Sequence, residues 1–199
     1  MSEVPSGRPT TQEIRTIAKR TCHILQRNDL PCCLMGSAAA WLWGTTRTPN
    51  DIDVVVITEQ FDPEYIKQLL VEEDDRFYLI PSRRRGAAYE VLWCRLPGFR
   101  TSRRACKVDI LIPGILNIPW INDDELRYIS NIPVMPLLCL LVLKTQGWWD
   151  NRTSFRQDLR NKESGDIADV MGLLTVASDR GVDIRDAPEY MRPDLLNIG

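Results

Sequence analysis

The run Asp51-Ile52-Asp53-Val54-Val55-Val56 constrains the fold more tightly than any other part of the chain. Four of its members are β-branched and apolar, and the run is too short for a helix, so it predicts a buried strand over residues 51–57. Side chains alternate along a strand, so Asp51 and Asp53 leave by one face ~7 Å apart while Ile52 and Val54 enter the core. Asn50-Asp51 by itself reads as turn chemistry. Asp53 does not, because a carboxylate flanked by such residues is costly unless it is paired or metal-bound.

A second acid repeats the pattern. Asp109 stands within Lys107-Val108-Asp109-Ile110-Leu111-Ile112, in a strand predicted over Ala105–Ile112. A solvent-facing acid at a strand end is the plain reading. If the two strands are neighbours, three carboxylates converge, repel and raise one another's pKa. Hard cations such as Mg²⁺ take oxygen ligands, and a pair of them would relieve that repulsion.

Upstream, Cys32–Met35 predicts a short buried strand, Gly36-Ser37 a tight turn, and Ala38–Trp43 a helix ended by Gly44. Strand, turn and helix start together leave backbone N–H groups aimed at one point, a site for phosphate. An ordinary serine N-cap has the same local look. No G-x-G-x-x-G occurs, which excludes a Rossmann fingerprint.

The remaining elements follow from periodicity and punctuation. Residues 1–9 read as a disordered tail. Thr10–Asp29 carries Ile14, Ile17, Ala18, Cys22 and Leu25 at helical spacing, and Pro63–Glu73 is a second helix. Phe77–Ile80 and Tyr89–Arg95 read as strands, Leu137–Trp149 and Asp166–Ala177 as helices, and the last stretch as irregular. The fold class is α/β (α+β): a short mixed sheet flanked by helices over residues 10–130, and a small helical C-terminal part over 131–199 that completes the cleft.

Charges on the late helices stand out. Lys144 falls on the stripe Leu137, Leu140, Leu141, Lys144, Trp148, where a helix face is apolar. It reads either as a snorkelling lysine at the core edge or as a point charge for phosphates. Asp169 shares a stripe with Leu173 and Val176, and Asp166 lies one turn earlier; either acid pairs with Lys144, acts as a base, or caps the helix start.

Arg83, Arg84, Arg85, Arg95, Arg100, Arg103, Arg104 and Lys107 form a basic cluster opposed only by Glu90. The cluster is either a solvated loop or a polyanion guide that makes RNA a candidate partner. The tryptophans Trp41, Trp43, Trp93, Trp148 and Trp149 are candidates to stack a base, though core packing is the usual fate. His23, the lone histidine, has no assigned role.

A formal net charge of −2 argues against nucleic-acid binding by the whole surface. Six cysteines without paired spacing, beside one histidine, exclude a zinc site and read as buried thiols. The first residues carry no apolar core of a secretory signal, and Leu137–Leu143 is far short of the ~20 residues that span a bilayer. The expectation is a cytoplasmic protein in a reducing compartment, with no membrane partner.

Taken together, Gly36-Ser37, Asp51-x-Asp53 and the later Asp109 resemble the three-part pattern of the DNA polymerase β-type nucleotidyltransferase superfamily. Arg47, four residues before Asp51, is similar to an arginine of its compact members. The likeness is greatest to the minimal and AbiEii-like nucleotidyltransferases, including small fungal relatives, and spans residues 30–175. AbiEii-like proteins also pair a lysine on one helix with an acid on the next, which Lys144 and Asp166-x-x-Asp169 resemble.

The resemblance implies metal ligation and catalysis by Asp51, Asp53 and Asp109, and nucleotide binding by Gly36, Ser37, Arg47, Lys144, Asp166 and Asp169. It implies Mg²⁺ or Mn²⁺, an NTP substrate, and transfer of a nucleoside monophosphate to a hydroxyl or phosphate of a small molecule, an RNA end or a protein, with release of pyrophosphate. A catalytically silent NTP-binding regulator and a toxin-like enzyme that modifies tRNA ends are the alternatives. The residues name neither the acceptor, nor the base, nor the oligomeric state.

Overall fold

The computed structural model describes residue 5 and residues 7–83, 86–98 and 103–188. Helix α1 (Thr11–Arg27) begins where Thr10 and Glu13 cap each other reciprocally, and it buries Ile14, Ile17, Ala18, Cys22 and Leu25. Strand β1 (Cys32–Met35) leads directly into α2 (Gly36–Trp43). Gly36 and Ser37 are therefore the first helical residues rather than a separate turn, and Gly44 ends the helix at φ 122°. Strand β2 (Asp51–Val56) follows, then α3 (Pro63–Glu73), started by the Asp62 cap with proline at its first position.

Strands β3 (Phe77–Pro81), β4 (Glu90–Arg95) and β5 (Ala105–Leu111) come next. Strands β6 (Arg127–Ile129) and β7 (Ile132–Val134) form a hairpin. Its two turn residues, Ser130 and Asn131, have φ of 53° and 61°, as a two-residue turn of the type that matches strand twist requires. Helix α4 (Leu137–Thr153), the short α5 (Gln157–Arg160) and α6 (Glu163–Asp179) follow.

All seven strands join one sheet in the order β3-β4-β5-β2-β1-β7-β6. Strand β2 sits at its centre, antiparallel to β1 and parallel to β5, so the sheet is mixed. Ile52, Val54 and Val56 from β2 and Val108 from β5 are fully buried. The expected α/β class is the one observed.

Two features differ from the sequence expectation. The β6–β7 hairpin lies where no element is expected. Helix α4 does not present one apolar stripe: every residue from Leu137 to Leu143 is buried, so its first two turns are enclosed on all sides. Helices α4 and α6 pack on each other and on α2. Arg180, at the end of α6, donates to the Trp43 carbonyl at 3.4 Å and lies 4.8 Å over the Trp43 ring. Among the described residues no helix is long and apolar enough to cross a membrane.

Candidate active site

The parallel pairing of β2 and β5 sets Asp53 directly opposite Asp109 and Asp51 opposite Lys107. Two adjacent strands thus deliver three carboxylates and one ammonium to a single face. Burial pushes the Asp53 carboxyl up to about 7, and the charges of Asp51 and Asp109 push the same way against Lys144 and Lys107. A carboxylate held in that state by its neighbours is a place where positive charge is missing.

Gly36 explains how Asp53 can lie so close to the β1–α2 junction. A Cβ at position 36 would stand 1.9 Å from Asp53 Oδ2, and the residue has φ +65°. Both facts demand glycine there. The glycine therefore makes room for the acid as well as opening the helix N-terminus.

Lys107 is the site residue that the sequence reading misses. It belongs with the loop arginines in sequence, but it stands two residues before Asp109 on a strand, and period two puts both on one face. Its Nζ donates to Asp109 Oδ2 at 2.5 Å. Burial pushes the Lys107 ammonium down, and Asp109, Asp51 and Asp53 more than offset this, leaving it raised.

The oxygen donors of Asp51, Asp53 and Asp109 are of the kind that hard divalent cations take, and the raised Asp53 fits such a cation. In the side-chain positions observed, no three acid, histidine or cysteine side chains among the described residues are drawn together around one point. Asp109 is turned to Lys107 instead. Asp51 and Asp53 are the residues that would hold a cation, joined by Asp109 on release from Lys107.

On the β1 side of the acids lies a second cluster. Asp169 of α6 is 1% exposed and carries a donor from each of three other segments. Arg47 donates through Nε to Oδ1 at 2.5 Å and through Nη2 to Oδ2 at 2.5 Å. Lys144 Nζ donates to Oδ2 at 2.6 Å and Ser37 Oγ at 3.0 Å. Ser37 Oγ in turn accepts from Lys144 Nζ at 3.1 Å and from Arg47 Nη2. Burial pushes the Asp169 carboxyl up, but the Arg47 hydrogen bonds and the Lys144 charge more than offset it, so the carboxyl titrates below the ordinary value. Arg47 is raised, chiefly by its hydrogen bonds to Asp169.

Packing brings α6 to this cluster. Asp169 shares a face with the buried Leu173 and Ala177. Gly172 lets the helix close on the loop that bears Arg47: a Cβ there would lie 2.9 Å from Thr45 Cγ2. Asp166 stands apart, half-buried, and accepts from Asn151 Nδ2 at 2.8 Å. The structure thus gathers Ser37, Arg47, Lys144 and Asp169, and leaves Asp166 one turn away.

Several members of the Arg83–Lys107 cluster are engaged within the chain. Arg95 donates to the Asp75 carbonyl and lies 4.6 Å over the Tyr78 ring. Arg104 binds the Glu13 carboxylate at 2.8 and 2.9 Å, which ties β5 to the start of α1. Arg84, Arg85 and Arg100 lie outside the described residues. Of the tryptophans, Trp43 is buried and donates to the Met135 carbonyl at 3.0 Å. Trp93 stands cross-strand from Lys107, and Trp148 lies under Arg152 at 5.5 Å. All six cysteines are buried thiols outside any disulfide, and burial pushes the thiols of Cys33, Cys94 and Cys106 up, which makes them poor nucleophiles.

No protein-family model matches the chain, and no curated protein matches it either. Among solved structures, an antigenic nucleotidyltransferase-like protein from Paracoccidioides brasiliensis superposes with a TM-score of 0.66 at 15% identity, over 96% of this chain and 89% of that one. The fold is nucleotidyltransferase-like. The protein ANT(2″)-Ia, solved with adenylyl-2″-tobramycin, is more distant at a TM-score of 0.42 and 11% identity, over 86% of this chain and 99% of that one. The nucleotidyltransferase-like architecture expected from Gly36-Ser37 and Asp51-x-Asp53 is the one the chain adopts.

Proposed function

We propose that the protein transfers a nucleoside monophosphate from an NTP to an acceptor hydroxyl or phosphate, with Mg²⁺ or Mn²⁺ at Asp51, Asp53 and Asp109. The observation that carries this reading is the register: Asp53 faces Asp109 across parallel strands, with Asp51 on the same face. The N-terminus of α2, beginning at Gly36 and Ser37, adjoins Asp53 and offers backbone N–H groups to phosphate. Arg47 and Lys144 add positive charge on that side.

The acceptor oxygen attacks the α-phosphorus. A new P–O bond forms there, the bond to the β-phosphate bridging oxygen breaks, and pyrophosphate leaves. Asp109 orients the acceptor and takes its proton. Asp51 and Asp53, joined by Asp109, would hold the metal, which when bound would supply positive charge to the phosphoryl group in transfer. Arg47, Lys144 and the α2 N–H groups hold the departing phosphates.

A silent NTP-binding regulator is the second reading, and the Lys107–Asp109 pair favours it, because it occupies an oxygen that the acceptor would need. For either reading, buried thiols outside any disulfide suit a reducing cytoplasm. Pyrophosphate release on mixing the protein with NTPs, Mg²⁺ and cell extract separates the two readings. The transferase reading expects release that Asp53→Asn abolishes; nucleotide binding without release is the outcome for a regulator.

A further inference from the structure

Asp169 cannot itself receive a triphosphate. Its charge is of the wrong sign, it is 1% exposed, and both its oxygens already accept hydrogen bonds, one from Arg47 at Oδ1 and three at Oδ2. It is also a poor proton acceptor, since its partners keep it ionised below the ordinary carboxylate range. What it does have is a grip on two cations at once. Nε and Nη2 of Arg47 are spent on Asp169 and Ser37, while among the described residues Nη1 has no protein partner. Lys144 spends two of its three N–H donors on Asp169 and Ser37. Both cations remain close to the acids: Lys144 acts electrostatically on Asp53, and Asp51 on Arg47.

We infer that Asp169 is a positioning residue, a buried carboxylate on α6 that fixes Arg47 and Lys144 so that their unspent N–H groups meet the β- and γ-phosphates. This inference rests on the reading that those two cations contact the triphosphate. An arginine and a lysine side by side repel and would swing apart without a shared counter-charge. Asp169 holds them together, and the ordering entropy of two long side chains is lost on folding rather than on binding. It also couples the C-terminal helices to α2 and to the loop before β2, since Ser37, Arg47, Lys144 and Asp169 come from four separate segments.

The test compares binding of the α,β-methylene analogues of the four NTPs with binding of the corresponding monophosphates, by calorimetry with Mg²⁺. In Asp169→Asn, the preferred triphosphate analogue should bind about tenfold more weakly or worse, the size of a lost charged hydrogen bond. Monophosphate binding should change less than twofold. A merely structural role would weaken both ligands alike, and that result overturns the inference. So does unchanged or tighter triphosphate binding, which would make Asp169 a competitor for the cations.

Lys144→Met should also lose triphosphate affinity, and the double variant should lose less than the sum of the two, because Asp169 acts through Lys144. Additive losses count against it. If Asp169→Asn does not fold, Asp169→Glu keeps the charge and displaces it by one methylene, with the same selective loss expected. A wild-type protein that binds none of the analogues removes the nucleotide reading itself, a failure distinct from that of Asp169.

Discussion

Asp53 is charged at a cost in the metal-free protein, and the direction of its shift fixes a pH dependence. Its folded pKa, about 7, lies above the ordinary carboxylate value, so the folded state holds the proton more tightly than the unfolded one. Stability from this group is full below the ordinary value and is lost as pH rises towards 7. In EDTA at pH 8, Asp53→Asn should therefore melt higher than wild type, by roughly 5 °C for a chain of this size. Mg²⁺ with NTP should raise the wild-type Tm by linkage and leave the variant unmoved. A variant that melts lower in EDTA, or that keeps the metal-dependent rise, contradicts this account of Asp53.

Lys144 behaves differently because it has a buried partner. A lysine merely snorkelling at the core edge could become methionine at no cost. Here the change leaves Asp169 with Arg47 and Ser37 alone, so Lys144→Met should lower stability by about 1–3 kcal/mol. NTP affinity should fall roughly tenfold with it. Thermal unfolding and calorimetry on the one variant check both numbers.

At the scale of elements, the acid-bearing strand, the capped helices and the β1–α2 junction were all legible in the sequence. Each announces itself within a window of a few residues: β-branched runs, the apolar spacing from Ile14 to Leu25, Pro63, Gly44. The β6–β7 hairpin was not legible, for three local reasons. Its strands have three residues each, its turn is Ser-Asn, and Pro133 argues against a strand inside a sheet. Pro133 is tolerated because β7 meets β1 only beyond it, at Leu34 opposite Val134. The sequence left open whether Asp166 or Asp169 pairs with Lys144, and the structure selects Asp169. That Arg47 and Ser37 bond to the same carboxylate was out of reach, since these residues are distant in sequence and nothing local states their meeting.

The glycines of the C-terminal helices give a test at this scale. Gly172 abuts Thr45, whereas a Cβ at Gly147 would meet nothing within 4 Å. Gly172→Val should push α6 from the loop that bears Arg47, lowering both Tm and NTP affinity. Gly147→Ala should raise stability by up to about 1 kcal/mol through helix propensity. Equal effects of the two changes would mean that α6 does not depend on that contact.

For the whole molecule, the sheet order explains why the site has a direction. From the centre outwards, β2 and β5 hold the acids, and on the proposed function β1 with α2 presents the phosphate side. Helices α4 and α6 bring Lys144 and Asp169 to that same side. On the proposed function the acceptor would be left the β5–β4 side, where Lys107 and Trp93 stand opposite one another. Attack at the α-phosphorus at these three acids would show in the position of a label. Parallel incubations with Mg²⁺ and cell extract would use NTP labelled at the α-phosphate or at the γ-phosphate. Only the α-label should reach an acceptor, and Asp53→Asn and Asp109→Asn should transfer none. Transfer of the γ-label, or α-label transfer that survives both substitutions, would contradict the proposed attack.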